Sequence, residues 1–82
     1  KVSSKVVRST YKSQRGTCRI TGIPFGQGIY APTIAPRKTS FPVAEDNMII
    51  VVDSLKRMRQ SVDLPWRAFI HLLRTTSSDA DL

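Results

Sequence analysis

The fold of this chain depends on the structure that residues 48–60, MIIVVDSLKRMRQ, adopt. The first five residues are apolar and mostly β-branched, which favours a strand. However, the apolar positions repeat at helical spacing for four turns, at Met48, Val51/Val52, Leu55, Met58 and Val62. Asp53 and Arg57 also stand four residues apart in the order that favours an ion pair on a helix. We therefore predict one helix from Pro42–Glu45 to Gln60.

The segment that follows predicts a second helix, from Leu64 to about Thr75. Asp63 is suited to cap it, and Pro65 is tolerated in its first turn. Its residues are apolar nearly all round, so we expect it to be the most buried element, with Trp66 and Phe69 in the core. Residues 75–82 are polar and acidic, and we expect a frayed tail there.

The first half of the chain predicts one helix and a long ordered loop. Residues 3–16 carry a helical stripe with a serine cap at the start and Gly16 at the end. Residues 17–23 alternate, which indicates a short strand or extended segment. Residues 22–42 contain too many glycines and prolines for a helix, but their large apolar side chains indicate a loop pinned to the core.

Together these segments predict a mainly α fold. We expect one compact domain over residues 1–82, with about three helices, a short extended segment and an ordered Gly/Pro-rich loop. Because the chain begins at Lys1, we also expect it to be a piece of a longer protein.

The charge is distributed unevenly along the chain. The formal net charge is +7, and residues 1–44 carry eight cations and no acid. Residues 45–82 carry five cations and all six acids. Such an asymmetry indicates an anionic partner.

The sequence argues against catalysis and against a bound cofactor or metal. Gly26-Gln27-Gly28-Ile29-Tyr30-Ala31 fits G-x-G-x-x-A, but Pro32 follows at once, so the helix that a dinucleotide site needs cannot begin there. The single histidine, His71, has no carboxylate at helical spacing, and the single cysteine, Cys18, is expected to be a small buried side chain. No apolar run approaches the roughly 20 residues of a membrane span.

The candidate binding face consists of cations at helical spacing. Arg67, His71 and Arg74 fall at i, i+4 and i+7 of the last predicted helix. Lys56 and Arg59 fall at i and i+3 of the preceding one, and Arg37 and Lys38 lie in the loop before it. We predict that these seven residues merge into one patch if the two helices pack antiparallel. The cations of residues 1–19 are expected to supply long-range attraction.

The order of elements resembles the C-terminal domain of rhabdovirus phosphoproteins. The resemblance lies in a basic lead, SSKVVRSTYKSQRG, a Gly/Pro-rich connector, and the helical segments AEDNMIIVVDSLKRMRQ and DLPWRAFIHLLRTT near the chain end. It implies a polymerase cofactor that docks on a nucleoprotein–RNA template through basic and apolar surface residues. It assigns no individual residue.

The residues alone leave two classes of binding partner as alternatives. One is an acidic protein surface, including a nucleoprotein–RNA complex, and the other is RNA or DNA bound directly, as by a small ribosomal-type protein. A single cysteine fits a reducing, intracellular compartment, which would be the cytoplasm, or a virion if the protein is viral.

Overall fold

The computed structural model describes residues 2–80, with side chains up to residue 74. It contains three helices, α1 (Ser4–Ser13), α2 (Asp53–Val62) and α3 (Trp66–Ala80), and two strands, β1 (Pro32–Ala35) and β2 (Ile49–Val52). A short 3-10 turn spans Gly28–Tyr30. The expected three helices of a small compact domain are present. The two strands form an antiparallel sheet, so the fold is mixed α/β rather than simply mainly α.

The prediction of one helix from Pro42–Glu45 to Gln60 is wrong in its first half. Residues 49–52 form β2, and all four are buried. A short apolar run with both faces covered is a strand pattern, whereas on a helix these four side chains would spread around the whole cylinder. The helix begins only at Asp53, and the Asp53–Arg57 ion pair forms as expected, at 2.8 Å.

Residues 14–19 cover the free edge of β2. The side-chain amide of Gln14 donates to the Ile50 carbonyl at 2.8 Å and accepts from the Ile50 N–H at 3.0 Å. The N–H of Arg19 donates to the same carbonyl at 3.1 Å. These bonds satisfy the backbone groups of Ile50 that point away from β1.

Prolines block the other edge of the sheet. Ile34 is the partner of Ile50 in the antiparallel register. Because the backbone groups of Ile50 point away from β1, the two residues form a non-hydrogen-bonded pair. The N–H of Ile34 therefore points away from β2, toward the free edge of β1. Pro32 and Pro36 stand two residues to either side and have no N–H to offer. A further strand would therefore find one donor over five residues, which disfavours edge-to-edge pairing.

The leading helix is confirmed. Ser3 caps α1 by accepting from the Val6 N–H at 3.3 Å, and the chain turns away through Arg15 and Gly16, both at positive φ. The extended segment predicted for residues 17–23 is a tight turn, closed by a bond from the Cys18 N–H to the Ile23 carbonyl at 2.8 Å. The loop of residues 22–42 is ordered as expected, but it contains β1, which was not predicted.

The inward face of α2 differs from the predicted stripe. Leu55 and Arg59 are the buried residues, while Met58 and Val62 are 47% and 42% exposed. Because the strand ends at Val52, the first helical turn places Leu55 against the sheet, and the next residue on that face is four positions later.

Helix α3 begins and ends later than predicted. Asp63 does not cap it but ends α2 in the left-handed conformation, and α3 starts at Trp66. It continues to Ala80, beyond the predicted end at about Thr75. The frayed tail expected for residues 75–82 stays a prediction, and its last two residues lie outside the described part. Trp66 and Phe69 are buried as predicted, but Leu72 is 44% exposed, and β2 rather than α3 is the most buried element.

The core brings together the turn, the sheet and the starts of α2 and α3. Its buried members are Cys18, Ala35, Ile49, Val51, Val52, Leu55, Trp66 and Phe69. Helix α1 contributes no fully buried residue and packs on the sheet from outside.

Candidate partner-binding surface

The candidate site is a groove between the turn at residues 18–22 and the beginning of α3. Its volume is about 550 Å³, and we call it the basic groove. It is lined by Arg19, Ile20, Trp66, Arg67, Ile70, His71 and Arg74. The α3 cations span about 10 Å along the helix axis, given a rise of about 1.5 Å per residue.

The apolar side chains of the groove belong to the edge of the core. Trp66 is only 7% exposed. Its indole N–H donates to the Pro36 carbonyl at 2.8 Å, and its ring meets the Phe69 ring edge-on at 6.1 Å between centroids. Ile20 and Ile70 are half-buried beside it. The first turns of α3 are thereby held in place, which fixes the starting points of the cationic side chains.

The groove is electropositive because it is lined by three arginines and none of its described lining residues is acidic. Among the side chains that the structure describes, the Asp53–Arg57 pair is the one salt bridge, and it lies on α2. The guanidinium groups of Arg19, Arg67 and Arg74 therefore have no carboxylate partner within the described part of the chain.

The structure separates the seven predicted binding residues. Arg67, His71 and Arg74 lie on one exposed face of α3, as their spacing predicted, and they line the groove. Lys56 is half-buried on α2 and does not line the groove. The predicted single patch across the two helices does not form.

Arg59 is the clear correction, since it is only 9% exposed. Its Nη1 donates to the Leu64 carbonyl at 2.8 Å, and its guanidinium lies over the Trp66 ring. It connects α2 to α3 inside the molecule. A buried guanidinium in this position cannot serve as a docking cation on the surface.

Arg37 and Lys38 do not line the basic groove, although the preceding residue, Pro36, accepts from the Trp66 indole of α3. Both line a smaller cleft that also contains Asp46, so its charge is mixed. The buried Asn47 holds this loop by accepting from the Lys38 N–H at 2.8 Å and donating to carbonyls of the loop. Arg37 also borders a second cleft, which it shares with Arg19.

Arg19 is the groove residue that the sequence did not single out. Its neighbours Cys18 and Ile20 pack inward, which leaves Arg19 exposed on the outside of the turn. That alternation was visible in the sequence, but the proximity of the turn to α3 was not. The sequence also did not separate the exposed stripe of Lys5, Arg8 and Lys12 on α1, which borders a shallow cleft with Ser9.

The described residues contain no group of three metal-ligating side chains. Gly28 opens a 3-10 turn and Pro32 opens β1, so the helix required by the G-x-G-x-x-A pattern does not follow it. Cys18 is 2% exposed, as expected for a small core side chain.

Burial raises the pKa of the Cys18 thiol, but hydrogen bonds lower it by more. They come from the Thr21 hydroxyl and from the backbone N–H groups of Thr21, Val52 and Ile20. The net pKa therefore lies below its ordinary value.

Comparison with known proteins gives no relative: no protein-family model, curated protein or solved structure matches the chain significantly. In the part of the chain that the structure describes, no helix combines the length and apolar character needed to cross a bilayer.

Proposed function

We propose that this chain is a non-enzymatic docking module whose basic groove binds an acidic segment of a partner protein. The observation that carries the proposal is the composition of the groove, in which four basic residues surround three apolar ones and none of the described lining residues is acidic. A nucleoprotein–RNA complex is the partner that the resemblance to rhabdovirus phosphoproteins implies.

The mixed lining favours a protein segment over a bare polyanion. Arginine pairs with carboxylates through two parallel hydrogen bonds, so Arg19, Arg67 and Arg74 suit aspartate or glutamate side chains. Ile20 and Ile70 between them offer a place for one apolar side chain, and such anchors contribute much of the affinity of protein interfaces.

Docking through side chains also agrees with the state of the sheet. Both strand edges are closed, one by Gln14 and Arg19 and the other by Pro32 and Pro36. A partner is therefore not expected to bind by adding a strand.

A second candidate function is direct binding of RNA or DNA. It is favoured by α1, where Lys5, Arg8 and Lys12 recur at i, i+3 and i+7 on an exposed face. Lysines and arginines on one helix face contact phosphates without reading sequence.

The two functions are separated by charge-removing variants on the two helices. An acidic peptide with one leucine is titrated against the wild type, Arg67→Ala, Arg74→Ala, and the matched controls Arg8→Ala and Lys12→Ala on α1. We expect the α3 variants to weaken binding about tenfold or more and the α1 variants to have little effect at moderate salt.

Single-stranded RNA is titrated in parallel over a range of salt. If RNA binds with a steep salt slope that each α1 and α3 cation shares equally, the second function is correct and the first is wrong. Equal effects of Arg67→Ala and Lys12→Ala on the peptide would also contradict docking at the groove. Circular dichroism confirms that each variant is folded.

A further inference from the structure

A second cleft adjoins the basic groove and shares Arg19 with it. This polar cleft has a volume of about 560 Å³ and lies between the end of α1, the turn and the residues after β1. Its lining includes Thr10, Ser13, Gln14, Thr17, Arg19 and Arg37. Arg19 thus connects the two clefts into one electropositive track.

Two arginines from different parts of the fold meet in the polar cleft. Arg19 belongs to the turn, and Arg37 follows β1. Neither has a carboxylate partner among the described side chains, and none of the described residues lining this cleft is acidic. Two arginines that line one cavity can both bring a guanidinium group to the same anion, and proteins recognise phosphoryl groups with such arginine clusters.

The other polar groups of the cleft already use their protons. The hydroxyls of Thr10, Ser13 and Thr17 donate to the carbonyls of residues 6, 10 and 14. The Gln14 amide donates to the carbonyls of residues 17 and 50. These side chains are therefore fixed by internal hydrogen bonds, and the side-chain N–H donors left for an anion are those of Arg19 and Arg37.

We infer that the polar cleft is a phosphoryl-binding subsite, and that its ligand is a phosphorylated serine or threonine in the partner segment that occupies the basic groove. This inference rests on the proposed function, since one segment is to fill both clefts. A phosphomonoester carries a charge of about −1.5 to −2 near neutral pH and three acceptor oxygens, which matches two arginine forks better than one carboxylate does.

The neighbourhood of the cleft argues against RNA as the source of the phosphate. Proteins hold single-stranded RNA by stacking bases on open aromatic faces. Among the described residues that line the two clefts, Trp66 is the one aromatic residue, and it is 7% exposed and lies against Arg59 and Phe69. The track thus offers arginines and aliphatic side chains, which suit a phosphorylated peptide.

The test begins with the phosphoryl group alone. O-phosphoserine is titrated into ¹⁵N-labelled protein, and amide shifts are expected at residues 13–19 and at Arg37. Arg37→Met should weaken this binding about tenfold or more, because one of two charge-assisted contacts is lost. Lys38→Met is the matched control: it removes the adjacent cation, which does not line the polar cleft, and should leave binding unchanged.

The second stage compares one acidic, leucine-containing peptide in its serine and phosphoserine forms. The phosphorylated form should bind about tenfold more tightly or better, and Arg37→Met should abolish that advantage. Arg67→Met should weaken both peptides while leaving free O-phosphoserine unaffected, since Arg67 lines only the groove.

The inference is overturned if O-phosphoserine shifts no amide of the cleft, if Arg37→Met and Lys38→Met act alike, or if both peptide forms bind equally. It is also overturned if single-stranded RNA displaces the phosphopeptide and binds more tightly, in which case the track binds phosphodiesters. If neither peptide binds but O-phosphoserine does, the subsite is supported and the proposed docking function is wrong.

Discussion

The guanidinium carbon of Arg59 lies 5.4 Å from the centre of the Trp66 ring, and Nη1 of the same side chain donates to the Leu64 carbonyl. These contacts tie α2 to α3 across the three residues that separate them. The cation has no carboxylate partner among the described side chains, and its Nε has no hydrogen-bond partner there. The stem of Arg59 covers apolar surface while the charge is largely removed from water.

We predict that Arg59→Met leaves stability within about 1 kcal/mol of wild type, because the lost hydrogen bond is offset by removing a desolvated charge. Arg59→Lys should destabilise by about 1–3 kcal/mol, since an ammonium is more strongly hydrated and cannot lie flat on the ring. Urea unfolding measures both. If Arg59→Lys keeps the unfolding free energy of wild type and Arg59→Met lowers it, the positive charge itself stabilises the contact between α2 and α3. Peptide affinity should be unchanged in Arg59→Met.

We predict that Phe69→Ala and Trp66→Ala each cost about 3–5 kcal/mol, because both side chains fill the core. Trp66→Phe should cost only about 1–2 kcal/mol, since it retains an aromatic ring and loses mainly the bond to the Pro36 carbonyl. Leu72→Ala is the control on the exposed side of the same helix and should cost less than about 1 kcal/mol. Thermal unfolding gives the order, and an unchanged melting temperature for Trp66→Ala would contradict the burial of this ring.

We predict that Gln14→Ala destabilises the chain by about 2–3 kcal/mol, because it leaves the outward N–H of Ile50 without a partner and the Ile50 carbonyl with the Arg19 N–H alone. Gln60→Ala, on the exposed face of α2, should have no measurable cost. Amide hydrogen exchange provides a local readout, since protection of Ile50 should fall more than that of Val51. Equal protection of the two in Gln14→Ala would show that the side chain does not secure this edge.

The lowered pKa of the Cys18 thiol leads us to predict that the stability of the chain depends on pH. Its pKa in the folded chain is below the ordinary value of 9.0, so the folded state favours the thiolate more than the unfolded state does. The stability that this group contributes is therefore present above the ordinary pKa and is lost as pH falls through the folded pKa.

We expect the unfolding free energy of wild type relative to Cys18→Ala to rise with pH in that window. Thr21→Val removes a hydrogen bond that lowers the pKa and should shrink the rise. Urea titrations in reducing buffer at several pH values measure it, and a difference that is flat or falls with pH would contradict the prediction.

The amino-acid sequence by itself determined the features that depend on residues three or four apart. Such spacings predicted helix α1 with a serine cap, the Asp53–Arg57 pair, the stripe of Arg67, His71 and Arg74, and the inward Trp66 and Phe69. Local hydrogen bonds, ion pairs and amphipathic periodicity involve residues that are close together in the sequence, so a short segment is enough to predict them.

Only the tertiary structure decided the features that depend on distant segments. Residues 48–52 suit a helix or a strand by pattern, and the choice depended on β1, a short strand between prolines some seventeen residues earlier. Because the strand ends at Val52, helix α2 is oriented with Arg59 facing the core and Met58 facing solvent. In the same way Arg19 joined the α3 cations only because the turn packs beside Trp66. Burial on both faces of β2 is a property of the assembled core, and no local window contains it.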